Sequence, residues 1–304
     1  RWVLHFFAVA SLAVVFSGLI VALPQAQDLE RVTPESVGLS SAGLTRATDA
    51  LQSHIDGADI AGVVAAVARR GKLVYFEALG QRDREKDDQM PEDAIFRLYS
   101  MTRPITSTAV MALWEEGAFQ LDDPISMYLP QFSDQRVFID AEEPDMAQTR
   151  MRMGDITVRH LLTHTSGIGS RNSRIYRAEQ VRLRSTTLSE MVDNTARVPL
   201  FENPGIRFRY GISTTILGRL VEIWSGLPFE TFLEERVLEP LNMTDTVFWA
   251  DGERAGRLAT VYRFDEGRSE LYPYAIERVP FTERPTLIEG GVGLLSTTMD
   301  YLHF

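Results

Sequence analysis

Cysteine is missing from the chain altogether, which excludes disulfides, thiolate metal sites, a cysteine nucleophile and a lipidated N-terminal cysteine. Lysine is nearly missing. Of 31 basic side chains only Lys72 and Lys86 are lysine, so arginine has replaced lysine almost everywhere. Excess positive charge is lacking too: the net charge of −11 argues against a nucleic-acid partner, which selects a basic face. Internal repeats, low-complexity tracts and obvious linkers are also absent. What is present is ordinary globular composition, 44% hydrophobic and 24% charged over 304 residues. That length suits one domain or two intimate subdomains around a sizeable core.

The long apolar run lies at the N-terminus, from Trp2 to Leu23, followed by "PQAQD". Ala26 is small enough for a cleavage point, although Pro24 fits the small-x-small rule poorly. The pattern predicts an export signal over 1–27, or an uncleaved membrane anchor, since the stretch is long enough to span a bilayer. The working domain, 28–304, is then expected outside the cytoplasm, periplasmic or extracellular. A cysteine-free chain is compatible with a periplasm.

Further along, "AGVVAAVARRGKLVYFEALG" (61–80) reads as two β-rich runs around a turn at Arg70-Gly71. A polar, acidic surface loop follows over 83–93. A helix is expected from Ser100 to about Glu116, stopped by Gly117, with Pro104 in its tolerant first turns. The stretch 118–156 is loop-rich. "TVRHLLTH" (157–164) predicts a short helix, "STTILGRLVEIWSG" (213–226) a longer one ending at Gly226, and "PFETFLEERVLEPL" another. "GGVGLLSTTMDYLHF" predicts a strand running into a last helix. An early hairpin, a helical middle and a returning strand imply an α/β domain interrupted by a helical insert.

The segment "RLYSMTRPITS" (97–107) carries the chemistry. Ser100 would sit at a helix N-terminus, beside unpaired N–H groups and a positive dipole end. Arg103, three residues on, shares its face. Such a tetrad alone is better explained by a plain capping serine with a surface arginine. The surrounding "IFRLYSMTRPITS" resembles the nucleophile segment of the serine β-lactamase and penicillin-binding-protein superfamily, in its class C β-lactamase-like and esterase branch. The stretches "WEEGAFQLDDPISMYLPQF", "ITVRHLLTHTSGI", "PLNMTDTVF" and "GGVGLLSTTMDYLHF" resemble that branch in the same order. The resemblance covers about residues 30–304. It implies an α/β (α+β) fold, an antiparallel sheet flanked by helices with an all-helical insert over approximately 110–235. It also implies a serine hydrolase without metal or organic cofactor, acting on an ester, β-lactam or peptide.

The branch normally has lysine where this chain has Arg103. Its second motif, Tyr-x-Asn, resembles "YGI", so Tyr210 is kept as a catalytic candidate and Ile212 replaces the amide that holds a β-lactam's acylamino group. That difference tilts the reading toward esters. Its third motif, a strand with Lys-, His- or Trp-x-Gly, has no match. "WSG" (224–226) falls at a helix end, and the strand is expected beyond Phe304. Of the oxyanion donors, the resemblance places one on the Ser100 backbone N–H and the second also beyond Phe304.

Several rival sites carry a blander explanation. His160 and His164 have the i, i+4 spacing of a zinc motif, but Leu161 stands where the glutamate belongs, so structural roles are expected. Ser166 and Ser213 lack the G-x-S-x-G pattern. Asp122 and Asp123 precede a proline, where aspartates cap or solvate. Lys72 at the hairpin turn and Lys86 in the acidic loop are poorly placed to replace a catalytic lysine.

An arginine stays protonated and cannot take a serine proton. It can remain positive, draw a neighbouring phenol toward the phenolate and steady an anionic transition state. Two functions follow. One is a slow exported serine hydrolase with Tyr210 as base and Arg103 as electrostatic support. The other is a non-catalytic protein whose β-lactamase-like pocket binds cell-wall peptide or another ligand.

Overall fold

A computed structural model describes residues 29–275 and 281–304. The expected leader, 1–27, lies outside the described residues. Among those described, no helix is long and apolar enough to cross a membrane.

Helix α1 (Ser41–Asp56) starts where the Ser40 hydroxyl accepts the Gly43 N–H, a side-chain cap that satisfies an otherwise orphaned donor. It lies on the hairpin of β1 (Gly62–Arg69) and β2 (Lys72–Asp83), where Thr48 and Tyr75 share a hydrogen bond of 2.9 Å. The expected turn at Arg70-Gly71 is there, with both residues at positive φ. Short β3 (Asp88–Gln89) extends β2, so the acidic loop is mostly exposed but returns to the sheet. Lys72 pairs with Glu30, and Lys86 with Asp83 at 2.7 Å.

Strand β4 (Phe96–Arg97) then runs into a single 3-10 turn over Tyr99–Met101 and into α2 (Thr102–Glu115). Thus Ser100 occupies the tight turn ahead of the α-helix, which starts at Thr102, slightly after the expected start. Gly117 ends the helix at φ 79°. The stretch that follows is mostly irregular, broken by β5 (Val137–Phe138) pairing antiparallel with β6 (Thr149–Arg150).

Helices α3 (Val158–Leu162), α4 (Arg174–Ala178), α5 (Leu188–Arg197), α6 (Ser213–Ser225) and α7 (Phe229–Leu233) follow, the last continued by a π-helical turn over Glu234–Leu238. Helix α6 is buried around nearly its whole circumference for its first nine residues, which is why its pattern is apolar or small on every face. At Gly218 a Cβ would lie 3.3 Å from the Phe229 ring, so the missing side chain lets α7 close in. The main core gathers α2, α5, α6 and α7 around Ile105, Phe132, Leu161, Leu217 and Phe229, all fully buried. Each such side chain contributes about 1.5–3 kcal/mol by leaving water.

The chain returns through α8 (Gly252–Arg257), an antiparallel hairpin of β7 (Tyr262–Asp265) and β8 (Glu270–Pro273), then β9 (Leu295–Ser296) and α9 (Thr298–His303). Strand β9 pairs antiparallel with β4, Arg97 opposite Leu295. The sequence patterns did not single out α1, α5, α8 or the β7–β8 hairpin. The fold is therefore β-lactamase-like, antiparallel strands with a helical middle, as the resemblance implied.

Candidate active site

Ser100 is lifted out of the β4–α2 connection by its neighbour. Tyr99 adopts φ 47°, a left-handed conformation that a bulky residue holds only when its surroundings enforce it. They do so here: the Leu98 N–H donates to the Leu294 carbonyl and the Met101 N–H donates back to Leu98, both at 2.9 Å. The Thr102 hydroxyl accepts the Leu294 N–H, and the Thr106 hydroxyl donates to the Gly290 carbonyl at 2.7 Å. Helix α2 is thereby fastened to residues 290–294, and Ser100 stands exposed at its head. Among the described residues no protein group bonds its hydroxyl or its backbone N–H, leaving that N–H available as an oxyanion donor.

Tyr210 reaches the same place from a distant part of the chain. Residues 209–212 lie along 164–169 through backbone bonds, Arg209 N–H to the His164 carbonyl at 2.8 Å and Ile212 N–H to the Gly169 carbonyl at 3.1 Å. Between them Gly211 is obligatory, because a Cβ there would fall 2.3 Å from the Gly169 carbonyl oxygen. The buried Ser166 and Ser213 hydroxyls bond each other at 2.9 Å and pin the start of α6 to the same segment. These two serines are structural, as their sequence context suggested.

Arg103 joins the two halves. Its guanidinium carbon lies 4.3 Å above the centre of the Tyr210 ring, and its Nη1 donates to the Thr214 hydroxyl at 3.0 Å. The same nitrogen is 3.5 Å from His164 Nε2. Burial draws the guanidinium below its ordinary value, while the Tyr210 phenol opposes that shift. No carboxylate comes within ion-pair distance of Arg103 among the described residues, and its Nε is buried without a partner. His164 is held down to about 4 by burial and by Arg103, so its ring is neutral at pH 7 and turns a lone pair to the arginine. Its ring also lies 5.0 Å from that of Tyr210. The sequence suggested a structural histidine; the fold places it at the site, as the neighbour of both catalytic candidates.

Ser100, Arg103 and Tyr210 line one cleft of about 140 Å³. Ile212 forms an apolar wall where the related pattern has an amide. Residues 170–172, Thr215, Glu289 and residues 291–292 complete the lining, and sequence reasoning had found none of them. Asn172 lines the cleft from a different loop. Glu289 is buried against Arg182, their closest bonds spanning 2.5–2.8 Å, which anchors the segment leading to Gly291. The polar run "SRN" after "TSGIG" was the one local signal.

The rival residues are occupied elsewhere. His160 Nδ1 accepts the Thr157 N–H in a reciprocal cap of α3. Asp122 pairs with Arg159 at 2.7 Å, and Asp123 accepts from Tyr128 and from the Gln120 N–H. Gly226 in "WSG" is the left-handed stop of α6. Among the described residues no group of three or more His, Cys, Asp or Glu could hold a metal ion.

Comparison with known proteins agrees with this geometry. The family model described as Beta-lactamase matches residues 47–304. Protein Rv1367c of Mycobacterium tuberculosis (strain ATCC 25618 / H37Rv) is 34% identical over 252 residues, 82% of this chain and 62% of that protein. Esterase EstB of Burkholderia gladioli is 34% identical over 224 residues, 71% of this chain and 54% of EstB. The chain thus spans between 54 and 62% of the length of these two curated relatives. Among solved structures, EstCE1, a hydrolase with promiscuous acyltransferase activity, superposes with a TM-score of 0.72 at 27% identity, covering 86% of this chain and 70% of that one. With a serine at the head of a helix, a cation one turn on and a tyrosine across the cleft, and with the family model spanning most of its length, the chain belongs to the Beta-lactamase family.

Proposed function

We propose that this protein is an exported serine hydrolase that cleaves esters through an acyl-serine, with Tyr210 as proton acceptor and Arg103 as a fixed positive charge. The observation that carries the reading is the Arg103 guanidinium over the Tyr210 ring inside the cleft that holds Ser100. In the forward step Tyr210, acting as its phenolate, takes the Ser100 proton as Oγ bonds to the carbonyl carbon, whose π electrons move onto oxygen. The Ser100 N–H and the Arg103 field stabilise that oxyanion. When it collapses, the bond to the leaving alkoxide breaks and Tyr210 returns the proton to it. Water repeats the sequence on the acyl-serine; an alcohol in its place gives acyl transfer.

The apolar Ile212 wall supports esters over β-lactams. Exposed Phe208, edge-on to His164, offers further apolar surface near Tyr210. The apolar stretch 2–23 supports export. Losing an amine base typically costs about 10² to 10⁴ in rate, so slow turnover is expected. A specific observation favours a second reading: Arg103 cannot accept a proton, and the pocket then serves to bind cell-wall peptide or another ligand.

Hydrolysis of p-nitrophenyl butyrate by wild type and Ser100→Ala separates the two. Turnover that disappears in the variant supports the hydrolase. Equal rates, or none in either protein, leave the binding function.

A further inference from the structure

Beside the nucleophile cleft, and sharing Arg171, Glu289 and Val292 with it, lies a second recess. Arg97, Arg171 and Arg184 line it together with Phe281, and Tyr99, the residue next to Ser100, forms part of its wall. Three arginines in one recess repel each other. Burial foremost, and then Arg184 and Arg171, lower the affinity of Arg97 and Arg103, respectively, for their protons. The Arg97 and Arg184 guanidinium carbons lie 4.4 Å and 5.3 Å from the centre of the Phe281 ring, so both groups pack on the one ring. Phe281 is itself held at φ 56°, with its carbonyl accepting the Ala250 N–H at 2.8 Å. Two acidic residues face the recess. Glu289 is engaged by Arg182, and Glu283 is exposed at the rim. Among the described residues neither Arg97 nor Arg171 has a carboxylate within ion-pair distance, and Arg97 Nε is buried with no acceptor.

A protein of net charge −11 has acidic side chains to spare for such a cluster, yet among the described residues none pairs with Arg97 or Arg171. A buried guanidinium donor lacking an acceptor is costly unless a ligand supplies one. We propose that this recess is an anion subsite, and that the substrate opened at Ser100 carries a free carboxylate that Arg97 and Arg171 bind. The turnover part of this inference rests on the hydrolase reading; the binding part does not. The recess holds about 30 Å³, room for a carboxylate group, so the spacer to the scissile bond lies toward the larger cleft past Val292, which lines both.

Calorimetric titration with glutarate and with neutral glutaramide tests the binding directly. Glutarate is expected to bind at least about tenfold tighter, as a charge-assisted guanidinium contact implies, and to weaken as salt is raised. Arg171→Gln should abolish the preference, and Glu283→Gln, at the exposed rim, should strengthen it. Equal binding of the two compounds, or a preference that survives Arg171→Gln, overturns the subsite. In turnover, mono-4-nitrophenyl glutarate is compared with its methyl ester, and 4-(butanoyloxy)benzoate with its methyl ester. A higher kcat/KM for either acid, lost in Arg171→Gln, supports the subsite and tells which side of the scissile bond enters the recess. Turnover of all four esters without preference overturns it while the hydrolase stands. Glutarate binding without turnover of any ester keeps the subsite and removes the hydrolase.

Discussion

The Arg103 guanidinium lies face-on to the Tyr210 ring at 4.3 Å, so a permanent cation occupies the space beside the phenol where the family's pattern puts an amine. The arrangement is built rather than incidental, because the Thr214 hydroxyl and the neutral His164 ring hold the guanidinium from the other side. A guanidinium there supplies a permanent positive charge but offers no lone pair for the serine proton.

Restoring the amine should therefore raise activity. Arg103→Lys is expected to increase kcat/KM for p-nitrophenyl butyrate by about tenfold or more, since a general base contributes about 10² to 10⁴. Arg103→Met, which removes the charge, should lower it. A fall in Arg103→Lys would mean that the guanidinium has its own role in the transition state.

His164 makes stability acid-sensitive. Its folded value, about 4, is depressed below the ordinary 6.5, so the fold favours the neutral ring. That stabilisation is complete above about 6.5 and is lost as pH falls from there through about 4, where the native state must take up a proton it disfavours. His164→Gln should flatten the dependence of Tm on pH across that window. A wild-type Tm that does not change between pH 7 and 4.5 would refute the assignment.

Buried charge at Glu289 should matter for the fold first. Its side chain and that of Arg182 are 4% and 10% exposed, and removing one partner of so buried a pair costs about 3–5 kcal/mol. Glu289→Ala is expected to show that loss in urea unfolding. A change below about 1 kcal/mol would mean that Arg182 readily finds another acceptor.

Gly211 tests how Tyr210 is positioned. Gly211→Ala would drive a methyl to 2.3 Å from the Gly169 carbonyl, forcing the 164–169 and 209–212 segments apart. Overpacking of this kind costs about 1–3 kcal/mol. Activity should fall further than stability, because the displaced segment carries Tyr210. Wild-type kcat in that variant would separate Tyr210 from the chemistry.

The sequence by itself determined what depends on neighbours along the chain. The Arg70-Gly71 turn, the Gly117 and Gly226 helix stops and the apolar runs around them are local events, and each is where the pattern put it. Ser100, Arg103 and Tyr210 were legible because two short segments resemble a known family. Helices α1 and α5 were harder to see, because α1 has no fully buried residue and α5 carries its apolar side chains among charged ones. Tertiary structure alone decided the rest. It placed His164 against Arg103, brought Asn172 to the cleft lining, buried Glu289 on Arg182 and gathered Arg97, Arg171 and Arg184 around Phe281. Apart from Arg97 on β4 and Arg103 on α2, those residues come from loops, whose relative positions are fixed by backbone bonds between distant segments, and such bonds leave no periodicity in the sequence.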